Sequence, residues 1–247
     1  MTLRLLFHLP FRQTEGFMRS VFHLADLNLE VPDHTTLSRR ARHLNVKLKR
    51  PLIVGPVVLA IDSSGLRIVG QGQWAAAKHG KRGMSAWRKI HIGVDQAGFI
   101  VAEELTESGG DDSRTGVEMI ARVPQEIDTV IGDRAYDSRA IYDAARKRNA
   151  KVVVPPTKNA SLTAWQPPDR RQVIARVEEV ERERWKKEAR CLRQAKAENG
   201  FFRLKKIIGD RMRSRSLDAQ KVEATIACNI LNRMLAIGSP RSMAIRA

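Results

Sequence analysis

Val57-Val58-Leu59-Ala60-Ile61-Asp62 is an apolar run closed by a carboxylate. Such a continuous, largely aliphatic stretch predicts a central β-strand. Farther along the chain, Thr129-Val130-Ile131-Gly132 repeats the pattern and is closed by Asp133. A third acid, Glu198, lies in Ala195-Lys196-Ala197-Glu198-Asn199-Gly200-Phe201-Phe202-Arg203-Leu204-Lys205, which reads as a helix. Two strands and a helix can thus bring three carboxylates to one place.

Working outward from the first run, Ser63-Ser64-Gly65 reads as a break, with Leu66 to Val69 prolonging the strand beyond it. Trp87 to Val94 alternates, and Asp95-Gln96-Ala97-Gly98 reads as a hairpin turn into Phe99 to Leu105. A helix from Asp112 to Ala121, a strand from Asp128 to Ile131, a helix from Ser138 to Arg148 and a strand from Lys151 to Val154 follow. The order βββαβαβ with a late helix predicts an α/β chain, and by analogy a ribonuclease-H-like mixed sheet flanked by helices.

Upstream, residues 1–50 read as a short helical N-terminal segment. It has an amphipathic stretch from Thr14 to Leu27, a break at Val31-Pro32, and a helix from His34 to His43 capped by Asp33. Helix, turn and a basic helix carrying Arg39 and Arg40 is compatible with a partial DNA-binding region, or with simple structural support. Residues 51–240 form the predicted catalytic domain and 241–247 a tail. Within it, the prolines of residues 155–170 mark a linker, and Arg176 to Lys187 reads as a charged helix. A closing helix spans Leu217 to Ile237, with Ser216 as its cap, Val222, Ile226, Ile230 and Leu231 as a stripe facing the sheet, and Gly238 as its stop.

Three carboxylates suit phosphodiester chemistry. Water or a sugar hydroxyl must lose a proton and a leaving alkoxide must be stabilised, while the phosphate repels every anion that approaches. A pair of divalent ions about 3.5–4 Å apart meets both needs, and hard Mg²⁺ takes a few carboxylates together with water and substrate oxygens. The composition agrees with a polyanionic partner. The 247 residues carry 44 Lys and Arg against 27 Asp and Glu, a net charge of +17, and such an excess favours nucleic acid through counterion release. Residues 182–215 concentrate it, with thirteen basic side chains against four acids around Glu198.

Other function classes fall away. With 43% hydrophobic residues the chain builds a real core. Its two cysteines, Cys191 and Cys228, form no zinc or disulfide pattern and read as reduced thiols. No apolar stretch approaches the ~18–20 residues of a membrane span, which places the protein in the cytoplasm. Gly70-Gln71-Gly72 lacks the rest of a dinucleotide motif.

The stretches Ile61-Asp62-Ser63-Ser64-Gly65-Leu66, Trp87-Arg88-Lys89-Ile90-His91, Gly132-Asp133-Arg134-Ala135-Tyr136-Asp137 and Ala197-Glu198-Asn199-Gly200-Phe201-Phe202-Arg203 resemble bacterial insertion-sequence transposases of the DDE type, nearest the insertion-sequence-five group. Continued from Ile208 to Met234, the likeness covers nearly the whole chain. It implies an enzyme that cleaves at insertion-sequence ends and joins the freed 3′-hydroxyl to target DNA, using two Mg²⁺ ions with Mn²⁺ as a substitute. Asp62, Asp133 and Glu198 would be its catalytic and metal-ligating residues, and terminal inverted repeats and target DNA the partners of a homo-oligomer.

The family's late-helix signature of Tyr, Arg, Glu and Lys is only half kept. Glu198 and Lys205 fit, whereas Cys191 and Gln194 occupy the Tyr and Arg places and Arg193 is the substitute cation. Glu198 and Lys205 are seven positions apart, close to two helical turns, so one face would carry metal ligand and phosphate grip, with Gln194 on the same side. Arg203, Lys206, Lys81 and Arg82 complete the expected DNA-binding set. Relatives usually have a longer region before Thr2-Leu3-Arg4-Leu5-Leu6, so a shortened copy is the expectation.

Smaller features have quieter readings. Asp111-Asp112 is expected to cap a helix rather than form a second acidic site, and Asp137 to cap the helix after it. His91 is expected to be a hydrogen-bonded sheet histidine, and Trp74 and Trp87 to pack in the core. Two alternatives to transposition stand: a ribonuclease-H-like nuclease without strand transfer, and a catalytically inactive DNA-binding repressor.

Overall fold

In the computed structural model, residues 1–50, 55–69, 87–157, 160, 167–189 and 194–238 are described. Lys81, Arg82, Arg193, Cys191, Trp74, the Gly70–Gly72 stretch, half of the 155–170 linker and the tail lie outside them. Three hydrogen-bonded antiparallel strands, β1 (Val57–Ile68), β2 (Trp87–Val94) and β3 (Ile100–Glu107), lead into α4 (Asp112–Arg122), β4 (Ile127–Ile131), α5 (Arg139–Arg146) and β5 (Lys151–Val153). The sheet order is β3-β2-β1-β4-β5, with β4 parallel to both β1 and β5. This is the ribonuclease-H-like α/β arrangement, a six-stranded mixed sheet flanked by helices.

Alternation along β1 divides the core in two. Val57, Leu59 and Ile61 join Met119, Ile120, Tyr136, Ile141 and Tyr142 on the face covered by α4 and α5. Ala60 and Leu66 join Ile90, Ile92, Ile131, Ala197, Phe201 and Leu204 on the other face, under α8 (Ala195–Arg203). Period-two side chains on a pleated strand require this division.

β1 does not break at Ser63-Ser64-Gly65. It runs through them because β2 supplies a ladder partner to each, pairing Ser63 with His91, Ser64 with Ile90 and Gly65 with Lys89. Beyond the reach of β4, the end of β1 pairs instead with β6 (Arg211–Met212). The turn after β2 forms as expected, with the Asp95 carboxylate accepting from the N–H groups of Ala97 and Phe99, and Gly98 at φ +94°.

The N-terminal segment holds α1 (Thr2–Leu6), α2 (Phe11–Leu24) and α3 (His34–Arg40). Asp33 caps α3 by accepting from Thr35 and Thr36, and Glu15 of α2 accepts from the His34 backbone. The charged helix read from Arg176 begins earlier, at a proline suited to a first turn. It is split into α6 (Pro168–Val180) and α7 (Arg182–Glu188) by Glu181, whose φ of +66° no continuous helix accepts.

α9 (Leu217–Ile237) ends at Gly238 as expected, but two details differ. Ser216 stands at its N-cap without a side-chain cap bond. The stripe does not simply face the sheet: Val222, Ile226 and Ile230 pack with Leu5 and Val46, while Ala224, Cys228 and Leu231 cover the sheet. The helix is therefore clasped on two sides. Asn232 fastens it to the sheet edge, exchanging hydrogen bonds with the N–H and C=O of Ile100 on β3. Trp87 is also unlike its expectation, being 45% exposed with the Arg67 guanidinium over its ring.

Candidate active site

The ladder between β1 and β4 sets Asp62 beside Asp133. Ala60 pairs with Ile131, and each aspartate lies two residues farther along its own strand direction. Asp133 keeps extended backbone angles, φ −79° and ψ −178°, so the strand path continues to it. Adjacent strands lie roughly 4.8 Å apart, and the two carboxylates are neighbours by register alone. Alternation gives Asp62 the face of Ala60 and Leu66, the face that α8 covers.

Gly200 brings the third acid in. A Cβ at that position would lie 2.9 Å from Ile92 Cδ1 and 3.4 Å from Val94 Cγ2, so the missing side chain lets α8 lie close against β2. Ile92 is the ladder partner of Asp62. Glu198, two residues before Gly200 on the same helix, is thereby carried to the edge of the aspartate pair, where it is exposed.

The field at Asp62 registers all three acids. Burial pushes its pKa up to about 6, opposed by a hydrogen bond from the Ser63 N–H at 2.7 Å, and the charges of Asp133, Glu198 and Asp112 raise it further. Among the described residues, no group of three or more His, Cys, Asp and Glu side chains is arranged to hold a metal ion. The donor set itself, carboxylates of one sign around a half-buried oxygen, fits a hard divalent cation that would relieve their repulsion.

A testable consequence follows from that pKa. Between its ordinary 3.8 and about 6 the folded chain binds a proton that the unfolded chain releases, so stability falls as pH rises through this window and the loss is complete above it. Discounted for partial exposure to roughly 1 kcal/mol, Asp62→Asn is expected to raise the metal-free Tm by about 2–4 °C at pH 8. Mg²⁺ should then stabilise the native chain more than the variant. A variant less stable than native at pH 8 would contradict the electrostatic reading.

Asp133 is held by its own turn. Its carboxylate accepts from the Ala135 N–H at 2.9 Å at the head of the 3₁₀ turn Arg134–Tyr136. The buried Tyr136 ring is keyed between two glycines, since a Cβ on either Gly132 or Gly116 would approach it to 3.0 Å. Asp137 does not cap the following helix; Ser138 does. The Asp137 carboxylate instead receives both Nε and Nη2 of Arg170, at 2.7 and 2.8 Å, and the Thr157 N–H at 2.8 Å.

A supporting network lies on the opposite face. Asp111 caps α4, accepting from Ser113 and Arg114. Asp112 accepts from Lys89 Nζ at 2.6 Å and faces His91 Nδ1 at 3.4 Å, while His91 Nε2 meets Thr106 Oγ1 at 3.0 Å. His91 is thus the hydrogen-bonded sheet histidine expected, and burial holds its pKa below the ordinary value. Asp112 was missed as a contributor to the field at Asp62, because a local Asp-Asp pair before a helix carries only a capping signal.

The basic residues divide. Gln194 stands at the head of α8, one turn before Glu198. Lys205 and Lys206 are exposed on a π-helical turn, Leu204–Ile208, whose wider winding shifts Lys205 off a strict two-turn phase from Glu198. Arg203, expected to face DNA, is turned inward: its Nη2 donates to the Leu231 carbonyl at 2.7 Å and Nη1 reaches Gly98 O at 3.5 Å. Arg39 and Arg40 are exposed at the end of α3, where Arg40 and Leu37 line a cavity shared with Ile226, Asn229 and Ile230 of α9.

Family comparison meets this geometry at the same residues. A model described as a transposase DDE domain matches residues 54–233, which contain Asp62, Asp133 and Glu198. A second model of the same description matches residues 1–71, spanning the N-terminal helices and β1 through Asp62. With most of its length matched, and with a ribonuclease-H-like sheet carrying the paired aspartates, the chain belongs to the DDE transposase family.

Proposed function

We propose that this chain is a DNA transposase that cleaves at insertion-sequence ends and joins the freed 3′-hydroxyl to target DNA. Asp62 and Asp133 would hold one metal ion between them and Glu198 would help to hold a second. Bound there, Mg²⁺ or Mn²⁺ supplies Lewis-acid stabilisation of the attacking and leaving oxygens. The side chains do the rest. Asp62, half-buried on β1, fixes the position at which the scissile phosphate is presented. Lys205, with Arg193 and Lys206, draws the DNA backbone toward Glu198, and the Lys89–Asp112–His91 network stiffens β2 behind the strand that carries Asp62.

The observation that carries this reading is the β1–β4 register that sets Asp62 beside Asp133, with the charges of Asp133 and Glu198 both acting on the half-buried Asp62 carboxylate. DNA is the partner, bound by a homo-oligomer in the cytoplasm, and the net charge of +17 supports it. No helix among the described residues is long and apolar enough to cross a membrane.

Incubating the chain with Mg²⁺, a duplex bearing its element's terminal sequence and a target plasmid tests the proposal. Covalent joining of the end to the plasmid is the expected product. Metal-dependent nicking with no joined product would make it a nuclease, and binding without cleavage would make it a repressor.

A further inference from the structure

Where β6 meets α9, four arginines surround one cavity of about 380 Å³: Arg4, Arg42, Arg213 and Arg215, together with Ser214 and Ser216. We infer that this cavity is a phosphate-binding site, separate from the three acids, that grips a backbone phosphate of bound DNA. The inference rests on the reading of the chain as a DNA-acting protein for the source of the phosphate, and on its own geometry for the site.

Two independent observations point to an anion. α9 is a 21-residue helix whose first N–H groups receive no side-chain cap, and the Ser216 Oγ at its N-cap is buried with no hydrogen-bond partner. Uncapped N–H groups with the positive end of the helix dipole attract an anion with several acceptor oxygens. Arg4 is the second: it is only 5% exposed, it lines the same cavity, and its Nε and Nη1 have no hydrogen-bond partner. Its guanidinium lies 4.2 Å from the centre of the Phe11 ring, which forms a wall of the cavity. A buried cation stacked on one face, with N–H groups left over, is a fork awaiting oxygens.

The nearby carboxylates are otherwise engaged. Glu223 lowers the local potential around Arg4, but its two oxygens accept from the backbone N–H groups of Arg213 and Ser214, at 2.8 and 2.7 Å. Asp218, in the first turn of α9, is exposed and does not line the cavity. The Arg213 guanidinium donates one bond to the His8 carbonyl at 2.6 Å. Burial is the main influence that holds the Arg4 pKa below its ordinary value, and the charge of Glu223 opposes it.

The loop is also built to hold its shape. Gln220 donates to the Ser214 carbonyl at 2.9 Å and accepts from Arg88 Nε at 2.9 Å, tying residues 214–215 to β2, the strand that pairs with Asp62. A phosphate bound here would therefore be registered against the sheet that carries the acids.

The test reads binding alone, on the full chain in EDTA, so that failure of the catalytic proposal leaves it unaffected. In the first arm, thermal unfolding is compared in chloride and in inorganic phosphate at matched ionic strength. In the second, anisotropy of a labelled duplex is followed across a salt series. Native protein should be stabilised by phosphate, whereas Arg4→Met should lose that stabilisation without a lower Tm in chloride, because it removes a buried unpaired charge. Arg4→Met and the exposed Arg215→Ala should each weaken duplex binding about tenfold and flatten the log–log salt slope by about 0.9.

Unchanged slopes with phosphate stabilisation retained only in the native chain would assign the site to a free anion and overturn the DNA source. Equal phosphate effects in native and variant proteins, or an Arg4→Met chain less stable in chloride, would make Arg4 a structural cation and overturn the site. Arg215→Ala, at an exposed position, reads the salt slope on a variant whose folding does not depend on Arg4.

Discussion

Asp62→Asn, Asp133→Asn and Glu198→Gln are each expected to lower end cleavage and end joining by about 10³-fold or more, while duplex binding changes by less than about threefold. Each substitution removes one charged oxygen donor from a centre in which charge stabilisation supplies most of the rate, and such losses typically reach 10²–10³ for even a single neutral donor. Duplex affinity is carried by lysines and arginines, which the substitutions leave in place. Asp62→Asn is the most informative of the three. It is the same variant expected to gain thermal stability at pH 8, so an inactive but more stable protein excludes misfolding as the cause. Activity within a few fold of native in any of the three would remove that residue from the catalytic set.

Arg170→Met is expected to give the largest loss of stability. The Asp137 side chain is 0% exposed and Arg170 is 13% exposed, and the pair is bidentate. Removing one partner of a buried pair leaves an uncompensated charge, at a cost of about 3–5 kcal/mol. For a chain of this size the Tm should fall by about 10 °C, measured by calorimetry. Asp137→Asn combined with Arg170→Met should recover much of the loss, because no buried charge then remains. A fall under about 2 °C for the single variant would show that the pair is not closed in solution. Asp137 follows the turn that positions Asp133, so activity should decline with stability in the single variant.

The sheet was legible because its evidence is local. Apolar runs ended by acids, the Asp95–Gly98 turn and the glycine after the last helix each state their conformation within a few residues. What sequence misread depends on distant partners. Ser63-Ser64-Gly65 has the composition of a turn, yet β2 pairs with every one of the three residues and the strand continues. Asp137 stands before a helix as a cap would, but Arg170, 33 positions away, takes both its oxygens. Arg203 sits in a basic run and resembles its neighbours, though the carbonyls it binds belong to α9 and to the β2–β3 turn.

The candidate site divides in the same way. Asp62, Asp133 and Glu198 could be picked out because each stands in a recognisable element. Their approach depends on two things that no local pattern states: the β1–β4 register and the close approach that Gly200 allows. Asp112 and Tyr136 enter through tertiary packing alone, and so does the arginine-lined cavity at the head of α9.

Crystals of the chain soaked in Mn²⁺ test the central claim most directly, because anomalous scattering locates the ion without reference to activity. The account predicts an ion bound by oxygens of both Asp62 and Asp133 at about 2.1 Å, with Glu198 turned toward the same centre. Manganese bound elsewhere, or bound to one aspartate while Glu198 faces away from it, would contradict the shared site.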